Sequence, residues 1–191
     1  MTANLKRSAL LPLHLAANAM LGDHHGWLVP DRFADPQAEL AAVREQVGLA
    51  DVSYRIKYLL PARPEGASWH LTDERFLVIG DPPCAVPARA IDVTSVYAVL
   101  LLAGPLARKV LAKLGAADLS DRALPDRRAL ECDLAHVHCI VLRTDTAGVP
   151  GYQLLAPRDY ALGLWEAVAH AGVEFHLAPF GQETLAALEQ R

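Results

Sequence analysis

From Asp35 onward, apolar residues return every third or fourth position, with Leu40, Val43 and Val47 on one stripe. That spacing predicts an amphipathic helix from Asp35 to about Val47. Asp35 is a good N-cap, Pro36 stands where a missing N–H costs nothing, and Gly48 supplies the stop. On this helix Glu39, Arg44 and Glu45 are expected in water. The period then changes to two. In Tyr54 to Leu60 the large side chains at even positions share one face and Arg55 and Lys57 the other, which predicts a half-exposed strand. Trp69 to Gly80 holds two apolar runs separated by Thr-Asp-Glu and predicts a hairpin.

The second half starts with the β-rich run Val96 to Leu102, closed by Gly104-Pro105 and followed by a helix to Leu114 with Leu106, Val110 and Leu114 buried. Leu130 to Arg143 reads as one extended stretch, with Tyr152 to Leu155 as its hairpin partner. A helix over about Arg158 to His170 buries Ala161, Leu164, Trp165 and Val168. Val173 to Leu177 reads as a last strand before a C-terminal helix from about Gly181.

These elements make a mixed α+β fold, taken as a single domain over 1–191. Asp81 to Pro87 carries three prolines in seven positions, which excludes regular helix or a central strand. It is expected to join two lobes, 1–81 and 88–191. An internal echo supports related halves: Asp51-Val52-Ser53 and Asp92-Val93-Thr94 each precede a β-rich run.

Composition narrows the function classes. The 191 residues are 52% hydrophobic and 21% charged, enough for a sizeable core. Eighteen Lys and Arg against 22 Asp and Glu give a net charge of −4, with no basic stripe for phosphate, so nucleic acid is not an expected partner. The longest apolar stretch, Val96 to Ala103, is too short to span a bilayer, and the N-terminus reads as no signal peptide. Cys84, Cys132 and Cys139 match no disulfide framework and no zinc pair, which favours reduced thiols and a cytoplasmic setting, although counting leaves open one disulfide plus one free thiol.

Several segments resemble one family in order. His25-Gly26-Trp27-Leu28-Val29-Pro30 and the run from Val43-Arg44-Glu45 through Val47-Gly48-Leu49-Ala50-Asp51-Val52-Ser53 resemble the opening of the glycine cleavage T-protein, the folate-dependent aminomethyltransferase. Asp92-Val93-Thr94 with Leu102-Ala103-Gly104-Pro105 resembles its second D-[VL]-S…L-x-GP element, and Arg143 to Leu154 resembles its RTGYTGEDGFEL segment. Relative to that family the chain looks as if it lacks about half the length, including the C-terminal β-barrel. Asp92-Val93-Thr94, Gly104 to Lys113 and Leu164-Trp165-Glu166 also resemble the small gamma subunit of heterotetrameric sarcosine oxidase.

The resemblance implies two small related α/β lobes, a tetrahydrofolate cofactor and partner chains or self-association. It implies that Glu65 stands near the family's acid, where proton transfer would accompany amine attack, while the residues themselves also allow a plain surface turn. The family's pterin-binding glutamate falls on Gln153. A neutral amide loses or reverses one of two paired hydrogen bonds, worth of the order of 1.5–3 kcal/mol for a charged pair. Asp51, Ser53 and Tyr54 follow the family's cavity-approaching element, and Arg143 opens the segment that contains Gln153. A folate binder is expected to line one cavity with Trp27, Asp51, Tyr54, Tyr97 and Gln153. A non-catalytic subunit similar to the sarcosine oxidase gamma chain, stabilising a larger flavoprotein, is expected instead to expose a broad apolar patch.

Other chemistries have less in their favour. Cys132, His136 and His138 would share one face of a continuous strand, but a closed zinc site needs four ligands, so no metal is expected. There is no GxSxG, no GxGxxG and no P-loop.

Overall fold

The protein is described by a computed structural model covering residues 5–190. Its centre is a six-stranded sheet in the order β10-β11-β12-β9-β4-β13. These strands are β4 (Gly48–Asp51), β9 (Tyr97–Ala103), β10 (Ala129–Leu134), β11 (Val137–Arg143), β12 (Gly151–Pro157) and β13 (Ala178–Pro179). Both faces are covered, which explains why β9 is an unbroken apolar run rather than an alternating one. Ala98, Leu100 and Leu102 join Val141, Tyr152 and Leu154 in one core with helices α3 (Ala107–Leu111) and α4 (Ala161–Gly172). Val99, Leu101 and Ala103 join Leu142 and Leu155 in a second core with helices α2 (Pro36–Glu45) and α5 (Gln182–Glu189).

On that second side lie two smaller sheets. One is β1 (Lys6–Arg7), β3 (Trp27–Arg32) and β2 (Met20–His24), with the short helix α1 (Leu11–Ala16) between β1 and β2 in the chain. The other runs β6 (Trp69–Thr72), β7 (Arg75–Gly80), β5 (Ile56–Leu60) and β8 (Ile91–Asp92). All sheets are open, in agreement with the expected α+β class without a barrel. No helix among the described residues is long and apolar enough to cross a membrane.

The segment 81–87 has no helix or strand, but strands pair across it in two sheets. β4 pairs with β9, Asp51 opposite Leu100, and β8 pairs with β5, Tyr58 opposite Asp92. The D-V-[ST] echo has a matching structural meaning. Asp51 Oδ1 accepts from Ser53 N at 3.0 Å and Asp92 Oδ1 accepts from Thr94 N at 2.8 Å, so both triplets form the same local turn. Each hydroxyl then reaches the other half: Ser53 Oγ accepts from Val99 N and Thr94 Oγ1 accepts from Lys57 N.

Helix α2 starts as expected, with Asp35 accepting from Ala38 N at 3.2 Å, and buries Leu40 and Val43. Two polar positions differ from expectation. Glu39 is only 3% exposed, because α5 closes over α2 and supplies hydrogen-bond donors to its carboxylate. Lys57 is wholly buried rather than on a wet strand face, since its ammonium turns inward to the carbonyls of Ser53 and Tyr97.

Three boundaries also differ. Leu130 to Arg143 is two strands, not one: Ala135 and His136 both take positive φ (49° and 66°) and turn β10 into β11, with no glycine or asparagine to mark the turn. Val173–Phe175 is a 3-10 turn, and the final strand is Ala178–Pro179, parallel to β4. Helix α3 ends at Leu111, although Val110 is buried as expected.

Gly104 shows why the Gly104-Pro105 element ends β9. Its φ is +135°, and a Cβ there would lie 2.4 Å from Gln46 O. Only glycine lets the strand pass so close to the end of α2.

Candidate functional site

A cleft of about 410 Å³ opens between the central sheet and the β6-β7-β5-β8 sheet. Gln153, on β12 opposite Leu101 of β9 and Leu142 of β11, forms part of its wall. Period two along β12 puts Tyr152 and Leu154 into the first core and turns Gln153 to the opposite face. Gln153 Nε2 donates to Thr144 Oγ1 at 3.1 Å. Its Oε1 is buried without a donor among the described residues. An acceptor left this way costs about 1–3 kcal/mol unless something supplies an N–H or O–H.

Trp69 and Ile79 bring apolar surface from the hairpin, and Arg55, Arg63 and Arg127 bring positive charge. Arg55 is held: its Nε donates to Asp81 at 3.0 Å and its Nη2 to Glu189 at 3.2 Å. Arg63 and Arg127 have no ion-pair partner among the described residues. A second recess of about 480 Å³ shares Arg63, Ser68 and Arg127 with the first and adds His70 and Arg128. These arginines, dispersed in sequence, were not singled out by sequence analysis; the folded hairpin and the loop before β10 bring them together.

The residues expected to line one cavity are divided among several places. Ser53, Trp27 and Tyr97 border a pinched recess of about 10 Å³, room for a water at most. Trp27 is buried, and Lys6 Nζ sits 5.6 Å from its ring centre. Tyr54 is buried with its ring stacked on His25, centroids 5.8 Å apart, and burial pushes its hydroxyl up to about 12. Asp51 is enclosed, 2.9 Å from His14 Nε2. Burial opposes its charge, yet the hydrogen bond and charge of His14 and bonds from Ser53 and Ser8 outweigh that and hold the carboxyl below its usual range.

Arg143 lies behind the cleft rather than in it. Its Nη2 donates to Asp145 at 3.0 Å, and its Nη1 to Asp121 at 2.9 Å and Tyr152 Oη at 3.0 Å. The Asp145 bond, opposed by burial and aided by Asp121, holds the guanidinium above its ordinary range. This cluster braces the strand end from which Thr144 reaches Gln153. Glu65 is exposed on a loop and borders a third recess of about 430 Å³ that shares only Arg63 with the Gln153 cleft. The carboxylate inside that cleft is Asp81, engaged by Arg55. The cleft therefore offers one free acceptor, Gln153 Oε1, together with the positive charge of Arg63 and Arg127.

Cys132, His136 and His138 fall on β10, on the turn and on β11 in that order, so they do not share a strand face. His138 is occupied by Asp133 and Glu131 at 3.1 and 3.3 Å, and these bonds raise its pKa.

Residues 72–190 match the GCVT N-terminal domain family. The chain belongs to that family. An aminomethyltransferase from Desulforamulus reducens is 28% identical over 224 residues, covering 93% of this chain and 61% of the relative. The chain thus spans about three fifths of the length of that curated relative. Among solved structures, the glycine cleavage system aminomethyltransferase T of Bartonella henselae superposes with a TM-score of 0.77 at 20% identity, covering 97% of this chain and 62% of that one. A chain of the heterotetrameric sarcosine oxidase of Corynebacterium sp. U-96 superposes at 0.59 and 21% identity, covering 73% of this chain and 92% of that one. The GCVT fold expected from the sequence is therefore the fold observed, and the likeness to a sarcosine oxidase chain extends to architecture.

Proposed function

We propose that this chain is an aminomethyltransferase-like, tetrahydrofolate-binding protein of one-carbon metabolism that acts with partner subunits in methyl or methylene transfer. The observation that carries the reading is Gln153, whose buried Oε1 has no donor among the described residues and stands on the wall of a cleft edged by Arg63 and Arg127. A pterin amidine carries neighbouring N–H groups, one of which Oε1 can accept. Gln153 Nε2 is committed to Thr144, so the second paired bond that a glutamate would accept is absent. Trp69 offers an apolar flank, and Arg63 and Arg127 suit the carboxylates of a folate tail. Family membership supports the same ligand class.

Among the described residues the carboxylate lining the cleft is Asp81, held by Arg55, while Glu65 borders the neighbouring recess that shares Arg63. In the proposed role the chain binds and orients the folate while a partner brings the amine or methyl donor. A second reading, a non-catalytic subunit similar to the sarcosine oxidase gamma chain, is favoured by the superposition covering 92% of one chain of that enzyme.

Calorimetric titration with 5-formyltetrahydrofolate tests the first reading. Saturable binding in the micromolar range is expected, tightened roughly tenfold or more in Gln153→Glu, since a charged hydrogen bond contributes about 1.5–3 kcal/mol. Absence of heat in both proteins at millimolar ligand overturns folate binding and leaves the subunit reading.

A further inference from the structure

We propose that Cys132 and Cys139 form an intramolecular disulfide that staples the edge strand β10 to β11. The two residues are directly opposite in the antiparallel ladder, Cys132 paired with Cys139. Opposed residues in such a ladder have Cα atoms about 4.5–5.5 Å apart, inside the window of about 4.4–6.8 Å that a disulfide spans without moving the backbone. Opposed side chains also leave the sheet on the same face. Here that face is shown by packing: Cys139 belongs to the first core and Cys132 packs against the same cluster. Both are free thiols in this structure, and Cys139 Sγ donates to Val137 O at 3.3 Å, a contact that rotation toward Cys132 gives up.

The accessible sulfur determines the order of events. Cys132 is partly exposed and Cys139 buried. With a small disulfide such as oxidised glutathione as oxidant, the Cys132 thiolate attacks one sulfur and expels one glutathione thiolate, leaving a mixed disulfide. The Cys139 thiolate then attacks Cys132 Sγ, forms the protein bond and expels the second glutathione. Two protein thiols lose two protons and two electrons, and one oxidised glutathione becomes two reduced ones. Burial raises the pKa of both thiols, that of Cys139 to about 12, so closure accelerates as pH rises. β10 is the outer strand of its sheet, and the loop that leads into it carries Arg127 and Arg128 of the arginine recess. The bond therefore ties the outer strand that follows Arg127 and Arg128 to its neighbour β11.

The test uses the full chain in a Cys84→Ser background, treated with oxidised glutathione at mildly alkaline pH and read by intact mass. A product lighter by two hydrogen atoms is expected, with both missing hydrogens assigned by fragmentation to Cys132 and Cys139 and restored by dithiothreitol. The Cys84→Ser/Cys139→Ala variant is expected to stop one glutathione heavier. A Cys84→Ser chain that also stops at the glutathione adduct, or that stays unreacted while its urea-unfolded form oxidises, overturns the proposal.

Discussion

His14 Nε2 lies 2.9 Å from Asp51 Oδ2, and neither side chain is exposed at all. The ring is wedged edge-on between Phe33 and Trp165, so the pair links α1 to the end of β4 inside the protein. A buried carboxylate deprived of its partner is expensive: His14→Leu is expected to lower stability by about 3–5 kcal/mol near neutral pH. The acid response follows from the lowered Asp51 pKa. A carboxyl depressed by folding contributes stability in full above its unfolded value near 4, and that contribution falls away as pH drops through the folded value. Urea titrations at neutral pH and near pH 3 are expected to show a smaller gap between wild type and Asp51→Asn at the lower pH.

Glu39 places four donors around one carboxylate. Its Oε1 accepts from Phe33 N and Ala34 N at 2.6 and 2.8 Å, and its Oε2 from Gly181 N and Thr184 Oγ1 at 3.0 and 2.7 Å. Gly181 is needed there, since a Cβ would meet Asp31 O at 2.1 Å. Removing the carboxylate strands buried donors, each costing about 1–3 kcal/mol. Glu39→Ala is expected to lose about 3–5 kcal/mol by chemical denaturation, and Glu39→Gln clearly less. Equal losses in the two variants would contradict this account.

Lys57 Nζ donates to Ser53 O and Tyr97 O, each at 2.9 Å. Burial pulls its pKa down to about 8, against the opposing influence of Asp51 and Asp92. The unfolded chain then holds a proton that the folded one has released between about pH 8 and 10.5, so stability from this group rises with pH across that window, by about 3 kcal/mol. Tyr54 and Cys139, both raised to about 12, act the other way because folding keeps them protonated. The difference between wild type and Lys57→Met isolates the lysine. It is expected to move in favour of wild type from pH 7.5 to 10.

The elements readable from the sequence are those whose signals are local. Asp35-Pro36 marks the start of α2, the apolar run Val96 to Leu102 marks a strand buried on both faces, and the paired D-V-[ST] triplets mark two equivalent turns. What escaped depends on distant chain. Glu39 and Lys57 look like wet positions on their own elements and become interior only when α5 meets the one and the start of β9 the other. The β10–β11 turn was hidden because Ala135 and His136 adopt positive φ without the usual residues. At the candidate site Gln153 was legible through family resemblance. Arg63 and Arg127 were not, since only folding brings residues so far apart in sequence to one cleft.

The position of β4 carries a consequence for how the chain must be assembled. This early strand is flanked by β9 and by β13, with Gly48 opposite both Ala103 and Ala178. During synthesis β4 therefore waits for its outer neighbour until the chain has been made as far as Pro179. Contacts spanning such long stretches of chain slow folding and leave apolar strands uncovered meanwhile. The β9 segment contributes side chains to both cores, and the face it shares with α2 gains its full cover only once α5 has been made.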